Sequence, residues 1–123
     1  HSHFGSSGSE SAQKMRKAIK MVKQQAPHLN IEGETQADAA LDMKIMRKTF
    51  PESELQEPAN VLMMPSIDAA SIAFNMLRTA THSSEHVGPI LLGMNKPVHI
   101  LSIYCTVRQI VNLTALAVVE AQG

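Results

Sequence analysis

Tryptophan is absent, tyrosine and cysteine occur once each, phenylalanine three times, and eleven basic side chains are cancelled by eleven acidic ones. Each shortage excludes something. The lone Cys105 cannot close an internal disulfide, and with eight methionines beside it the chain fits a reducing cytosol better than a stapled secreted scaffold. Zero net charge, with local basicity only between Lys14 and Lys23, provides no field to recruit nucleic acid or an anionic membrane. Long apolar runs are missing as well. The longest, in the last predicted helix, is broken by Asn112 and Thr114 and falls far below the ~20 residues that span a bilayer. The opening "HSHFGSSGSE" has none of the charged-then-apolar layout of a signal peptide.

What is present suffices for a core. With 123 residues, 44% of them hydrophobic, one compact domain or one large piece of a domain is expected. Ser7 to Glu10 has capping-box spacing, and Ala12, Met15, Ile19, Val22 and Ala26 then recur at helical intervals until Pro27, which predicts a helix over about residues 9–25. "LNIEG" alternates like a short strand, and "ETQADAALDMKIMRKTF" reads as a loop leading into a helix closed by Pro51. "NVLMMP" predicts a buried strand, and "SIDAASIAFNMLRTA" a helix capped by Ser66 with Asp68 in its first turn. "HVGPILLG" and "PVHIL" are two more apolar runs, the second a short strand ending near Ser102. Thr106 to Ala121 then carries apolar residues on nearly every face, so this last helix is expected to be buried. Strands alternating with helices argue for an α/β layer fold with a largely parallel sheet.

Few residues offer chemistry. No G-x-S-x-G elbow, C-x-x-C pair or H-E-x-x-H helix is present, which leaves the hydrolase and metal readings without a motif. His1 and His3 form a terminal pair without carboxylate support, so no metal site is expected, and His28, His82 and His86 are expected at the surface. Glu34 and Asp38, four apart, have the spacing of an acid and base pair on one helix face, but carboxylates in a polar loop are usually solvated or capping groups. Lys14, Lys17, Lys20 and Lys23 make a basic face behind "FGSSGS", whose flexible N–H groups at a helix start suit an anion. A solvated face explains the lysines equally well. Thr106 and Gln109 have the T-x-x-Q spacing that caps the last helix.

The tail "VGPILLGMNKPVHILSIYCTVRQIVNLTALAVVEAQ", with "GETQADAAL" and "ANVLMMPSIDAASIAFNML" upstream, resembles the phosphotransacetylase family over about Phe4 to Gln122. Active phosphate acetyltransferases carry approximately G-P-I-x-x-G-x-x-K-P-V-N-D-L-S-R-G and, four residues on, D-I-V. Gly88, Pro89, Ile90, Gly93, Lys96, Pro97, Val98, Leu101 and Ser102 match. His99 and Ile100 replace Asn-Asp, Ile103 and Tyr104 replace Arg-Gly, and Gln109 replaces the aspartate. Upstream, "SHFGS", Ser2 to Ser6, resembles the family's S-T-K-G-S loop with Phe4 in place of lysine, so these first residues are expected to be native rather than a tag.

The resemblance implies a three-layer α/β/α fold with a mostly parallel sheet, similar to the isocitrate and isopropylmalate dehydrogenases, incomplete over residues 1–123. In the family the arginine helps hold phosphate or acyl phosphate, and the aspartate acts on the coenzyme A thiol proton. Isoleucine holds no anion and glutamine takes no proton near neutral pH, so Ile103 and Gln109 mark a binding site whose chemistry has been removed. "KPVHIL" and "IVNLTALAVVEAQ" resemble the version of this domain that follows the catalytic part of the long bacterial NADP-dependent malic enzymes. That resemblance implies a C-terminal piece of such a domain in a homo-oligomeric cytoplasmic parent that uses NADP and a divalent metal, magnesium or manganese, and partners the remainder of that chain. Acetyl-CoA is the implied effector, and Gly5, Ser6, Ser7, Lys96 and Ser102 are its candidate contacts, with no catalytic residue and no metal ligand in this stretch. Two rivals remain: part of an active phosphate acetyltransferase, and a scaffold that binds no small molecule.

Overall fold

A computed structural model of the chain describes residues 2–81 and 86–122. Five helices are found: α1 (Glu10–Gln25), α2 (Ala37–Leu41), α3 (Met43–Thr49), α4 (Ile67–Ala80) and α5 (Val107–Gln122). The chain divides into two compact units, His1–Ala73 and Phe74–Gly123, with the division inside α4.

The helices begin where local chemistry starts them. Ser9 caps α1, its hydroxyl accepting from the Ala12 N–H at 3.3 Å, while the predicted cap Ser7 turns its hydroxyl to the Ser9 N–H instead. Ser66 caps α4 through the Ala69 N–H at 3.2 Å, as its position predicts. The single helix expected before Pro51 is two helices, because Asp42 sits in extended conformation between them. Its N–H closes α2 on the Asp38 carbonyl, and its carboxylate opens α3 by accepting from the Lys44 N–H at 2.8 Å. Ala39, Ala40 and Met46 are buried in this helical pair, and Ala12 of α1 is buried in the same unit.

The expected strands and sheet are not found among the described residues. Residues 29–33, 60–65, 86–92 and 97–101 run without regular structure, for a plain physical reason: a strand exists only when another backbone pairs with it, and none of these segments pairs with another. Their apolar side chains stand correspondingly open, with Val61 at 70%, Met63 at 74% and Leu92 at 80% exposure. The expectation of a buried last helix fails in the same way. Only Leu113 of α5 is buried, whereas Val107, Val111 and Val118, which share one face at helical spacing, are all more than half exposed. No described helix is long and apolar enough to cross a membrane.

Candidate functional site

The loop from Ser2 to Ser7 is built around a carboxylate. Phe4 and Gly5 have positive φ, +35° and +90°, and the Ser6 N–H closes the turn on the His3 carbonyl at 2.7 Å. Glycine takes such a conformation without cost, but a phenylalanine does not, and Phe4 is held there by stacking on Phe50 with ring centroids 3.7 Å apart. Against this turn lies Glu34, whose Oε1 accepts from the Ser2 hydroxyl at 2.9 Å, the Gly5 N–H at 3.0 Å and Arg16 Nη1 at 2.8 Å. Its carbonyl accepts from the Phe4 N–H at 2.7 Å, and Arg16 Nη2 reaches on to the Ser7 carbonyl at 3.0 Å.

Glu34 is therefore neither solvated nor half of an acid and base pair on a helix. Its side chain is 2% exposed, and Asp38 is spent on the neighbouring Ala39 N–H. Burial pushes the carboxyl pKa up, but the Gly5 N–H, the Ser2 hydroxyl and Arg16 together outweigh it and leave the group below its ordinary value. Glu34 Oε2 has no hydrogen-bond partner. Sequence reasoning missed this cluster because its members lie 18 to 32 residues apart. One signal was there: Arg16 is the single arginine of a helix whose other cations are lysines, and its planar fork suits a carboxylate and a carbonyl at once.

The loop's donors are thus partly committed. Phe4, Gly5 and Ser6 give their N–H groups to Glu34 and His3, so Gly5 and Ser6 do not offer theirs to an anion in this conformation. Ser7 and Gly8 have no N–H partner among the described residues, and they lead directly into α1. Of the basic face, Lys14 Nζ donates to the Pro65 carbonyl and Lys23 pairs with Glu54 at 3.2 Å. His1 lies outside the described residues, and His3 Nδ1 meets the Thr35 hydroxyl at 3.1 Å. An open groove of about 660 Å³ in the same unit runs from Met15 and Ile19 past Ile31 and Glu34 to Leu62 and Met64.

The other candidates belong to the second unit and are described by themselves. Ser102 opens a turn in which the Cys105 N–H donates to its carbonyl at 3.0 Å and the Tyr104 N–H to its hydroxyl at 3.2 Å. The hydroxyl proton remains available, and Ser102 is exposed. Ile103 and Tyr104 project from the turn at 89% and 88% exposure. Lys96 is exposed beside a small hollow of about 190 Å³ that Leu91, Asn95 and Glu120 also line.

Gln109 has the capping role its spacing predicts. The Gln109 N–H donates to the Thr106 hydroxyl at 3.2 Å, and Gln109 Oε1 accepts from the Thr106 N–H at 2.9 Å. With Oε1 so engaged, its amide nitrogen donates to His86 Nε2 at 2.7 Å, which puts the imidazole proton on Nδ1, a buried atom without a partner. His86, expected at the surface, instead lies edge-on to Phe74, ring centroids 5.8 Å apart. His82 lies outside the described residues, and His28 is exposed as expected. His99 is 6% exposed and pairs through Nε2 with Glu120 of α5 at 3.1 Å.

The family model for phosphate acetyl/butaryl transferases matches residues 1–118. An NADP-dependent malic enzyme from Salmonella typhimurium is 50% identical over 99% of the chain, and one from Escherichia coli 49%, although the chain spans only 16% of the length of either. A phosphate acetyltransferase from Acetivibrio thermocellus is 38% identical over 99% of the chain and 36% of its own length. Among solved structures, the EutD phosphotransacetylase from Staphylococcus aureus superposes with a TM-score of 0.83 at 33% identity, over 98% of this chain and 37% of that one. The phosphotransacetylase fold is shared with that structure, and the chain belongs to the phosphate acetyl/butaryl transferase family.

Proposed function

We propose that the chain is a regulatory and oligomerisation module, the C-terminal part of the phosphotransacetylase-like domain of a cytoplasmic NADP-dependent malic enzyme, and that acetyl-CoA is its effector. One observation carries the reading: the positions where the family's catalytic machinery would stand hold residues that are either engaged elsewhere or apolar. Gln109 is consumed by the cap of α5 and by His86, Phe4 is stacked on Phe50, and Ile103 projects from its turn with no polar group to offer. Binding groups persist beside them, in the Ser102 hydroxyl, the Ser7 and Gly8 N–H groups and Lys96. The malic-enzyme relatives, more similar than the acetyltransferases, support the choice of parent.

In this reading the parent oxidatively decarboxylates malate to pyruvate. NADP and a divalent magnesium or manganese ion act at the malate-oxidising part of that chain, and no residue described above is assigned to them. Acetyl-CoA changes the rate there through a coupling of about 1–3 kcal/mol, the usual size for an effector. The test is malate oxidation by the full-length parent with and without acetyl-CoA. A rate change is expected, blunted by Ser102→Phe while the rate without effector stays nearly constant. A parent indifferent to acetyl-CoA makes the module a scaffold. Acetyl phosphate formed from acetyl-CoA and phosphate by the parent, and abolished by Ser102→Ala, makes it an acetyltransferase instead.

A further inference from the structure

We propose that residues 60–64 form a docking strand: their open backbone and the groove beside them take up an extended apolar segment of the parent's own chain from outside residues 1–123. The inference rests on the reading of this chain as one part of a longer domain, and it needs no effector.

The run is held at both ends and open between them. The Ala59 N–H donates to the Ala40 carbonyl in α2 at 2.8 Å, and the Pro65 carbonyl accepts from Lys14 Nζ of α1. From residue 60 to residue 64 no backbone N–H or carbonyl has a partner among the described residues, and residues 61–64 carry neither turn nor bend. A backbone pinned in this way is fixed before anything pairs with it, which lowers the ordering cost of pairing. The side chains describe the missing neighbour. Leu62 and Met64 are half-buried, whereas Val61 and Met63 between them are largely exposed, so an apolar side chain follows at every position. A run that is apolar on both faces suits the inside of a covered sheet and not an edge facing water.

The groove of about 660 Å³ that these residues line is also lined by Met15, Ile19 and Ile31. A small apolar molecule could fill it, but would displace water from the open N–H and carbonyl groups without replacing the lost hydrogen bonds. An incoming strand satisfies both needs at once, with its side chains in the groove and its backbone on the open one. The length of the relatives says where such a strand comes from. This chain spans 36% of the Acetivibrio thermocellus phosphate acetyltransferase and 37% of the EutD chain whose path it shares, so most of either polypeptide lies outside the matched part. A segment tethered in the same parent reaches the groove at an effective concentration on the order of millimolar, which a free second copy at micromolar concentration does not match.

Two measurements on the full-length parent test this. In hydrogen exchange, the amides of Val61 to Met64 should exchange about 100-fold or more slowly than in an unstructured peptide of the same sequence. Exchange at the unstructured rate overturns the inference. For the identity of the occupant, Met63 is replaced by the photo-crosslinker benzoylphenylalanine, and the parent is irradiated as a mixture of heavy- and light-isotope subunits. The expected product joins position 63 to a residue of its own chain outside residues 1–123. A product joining a heavy to a light subunit makes the groove a contact between copies and overturns the inference, as does a product confined to residues 1–123. Should the replacement at Met63 prevent folding, the same crosslinker at Val61 takes its place, and no product from either position overturns the inference as well. Neither measurement uses acetyl-CoA. A parent whose malate oxidation ignores acetyl-CoA therefore ends the regulatory reading and leaves this inference standing, whereas a crosslink to a second copy ends this inference alone.

Discussion

At the scale of the residue, Glu34 is the most consequential side chain described. Its removal leaves the Gly5 N–H, the Ser2 hydroxyl and Arg16 without a shared acceptor. Breaking a buried pair typically costs 3–5 kcal/mol, and because Arg16 remains partly solvated, Glu34→Ala should destabilise the first unit by about 3 kcal/mol in chemical denaturation. The pH dependence has a definite sign. The folded-state pKa lies below its unfolded value near 4.5, so the stabilisation is fully present above that value and is lost as pH falls through the folded pKa. Glu34→Gln should flatten the acid limb of a stability profile, and an unchanged limb would show that another carboxylate governs it. Phe4 is a second case. Phe50→Ala removes the stack that holds Phe4 at positive φ and should cost about 1 kcal/mol beyond the buried area lost.

Elements divide into those the sequence makes legible and those it does not, and the division follows the range of the interactions. The α4 and α5 starts were readable because Ser66 and Thr106 bond groups three residues away. Asp42 was readable in principle by the same rule, but a continuous apolar pattern across it suggested one helix where there are two. Strands depend on partners distant in sequence, so alternation at Leu29–Gly33 and the apolar run at Val61–Met64 predicted an element that nothing in the described residues completes. The Glu34 cluster escaped for the same reason: a lone glutamate in "IEGET" reads as a solvated group until Arg16 and Gly5 are seen against it. For α5 a direct check is available. Thr106→Ala or Gln109→Ala should each weaken the second unit by about 1 kcal/mol through loss of the capping box, measurable as a lower denaturation midpoint.

Over the whole molecule, the imbalance is between a small core and much exposed apolar surface. Val107, Val111 and Val118 form a stripe on α5, and Ile103, Met63, Val61 and Leu92 are each at least 70% exposed. Since a fully buried side chain of this size contributes roughly 1.5–3 kcal/mol, such surface favours association. The isolated chain should sediment as more than a monomer at micromolar concentration. Val111→Glu with Val118→Glu should shift it toward monomer if the α5 stripe is the contact, and an unshifted distribution would move the contact to another surface.

The turn that begins at Ser102 also gives the chain an optical property. With no tryptophan and one tyrosine in the sequence, nearly all its ultraviolet emission comes from Tyr104, which stands 88% exposed on that turn with its N–H bonded to the Ser102 hydroxyl. The isolated chain is in effect already labelled at one candidate contact. Quenching by a soluble collider, followed as acetyl-CoA is titrated under excitation too long in wavelength for the three phenylalanines, reads the shielding of that single phenol with no probe attached.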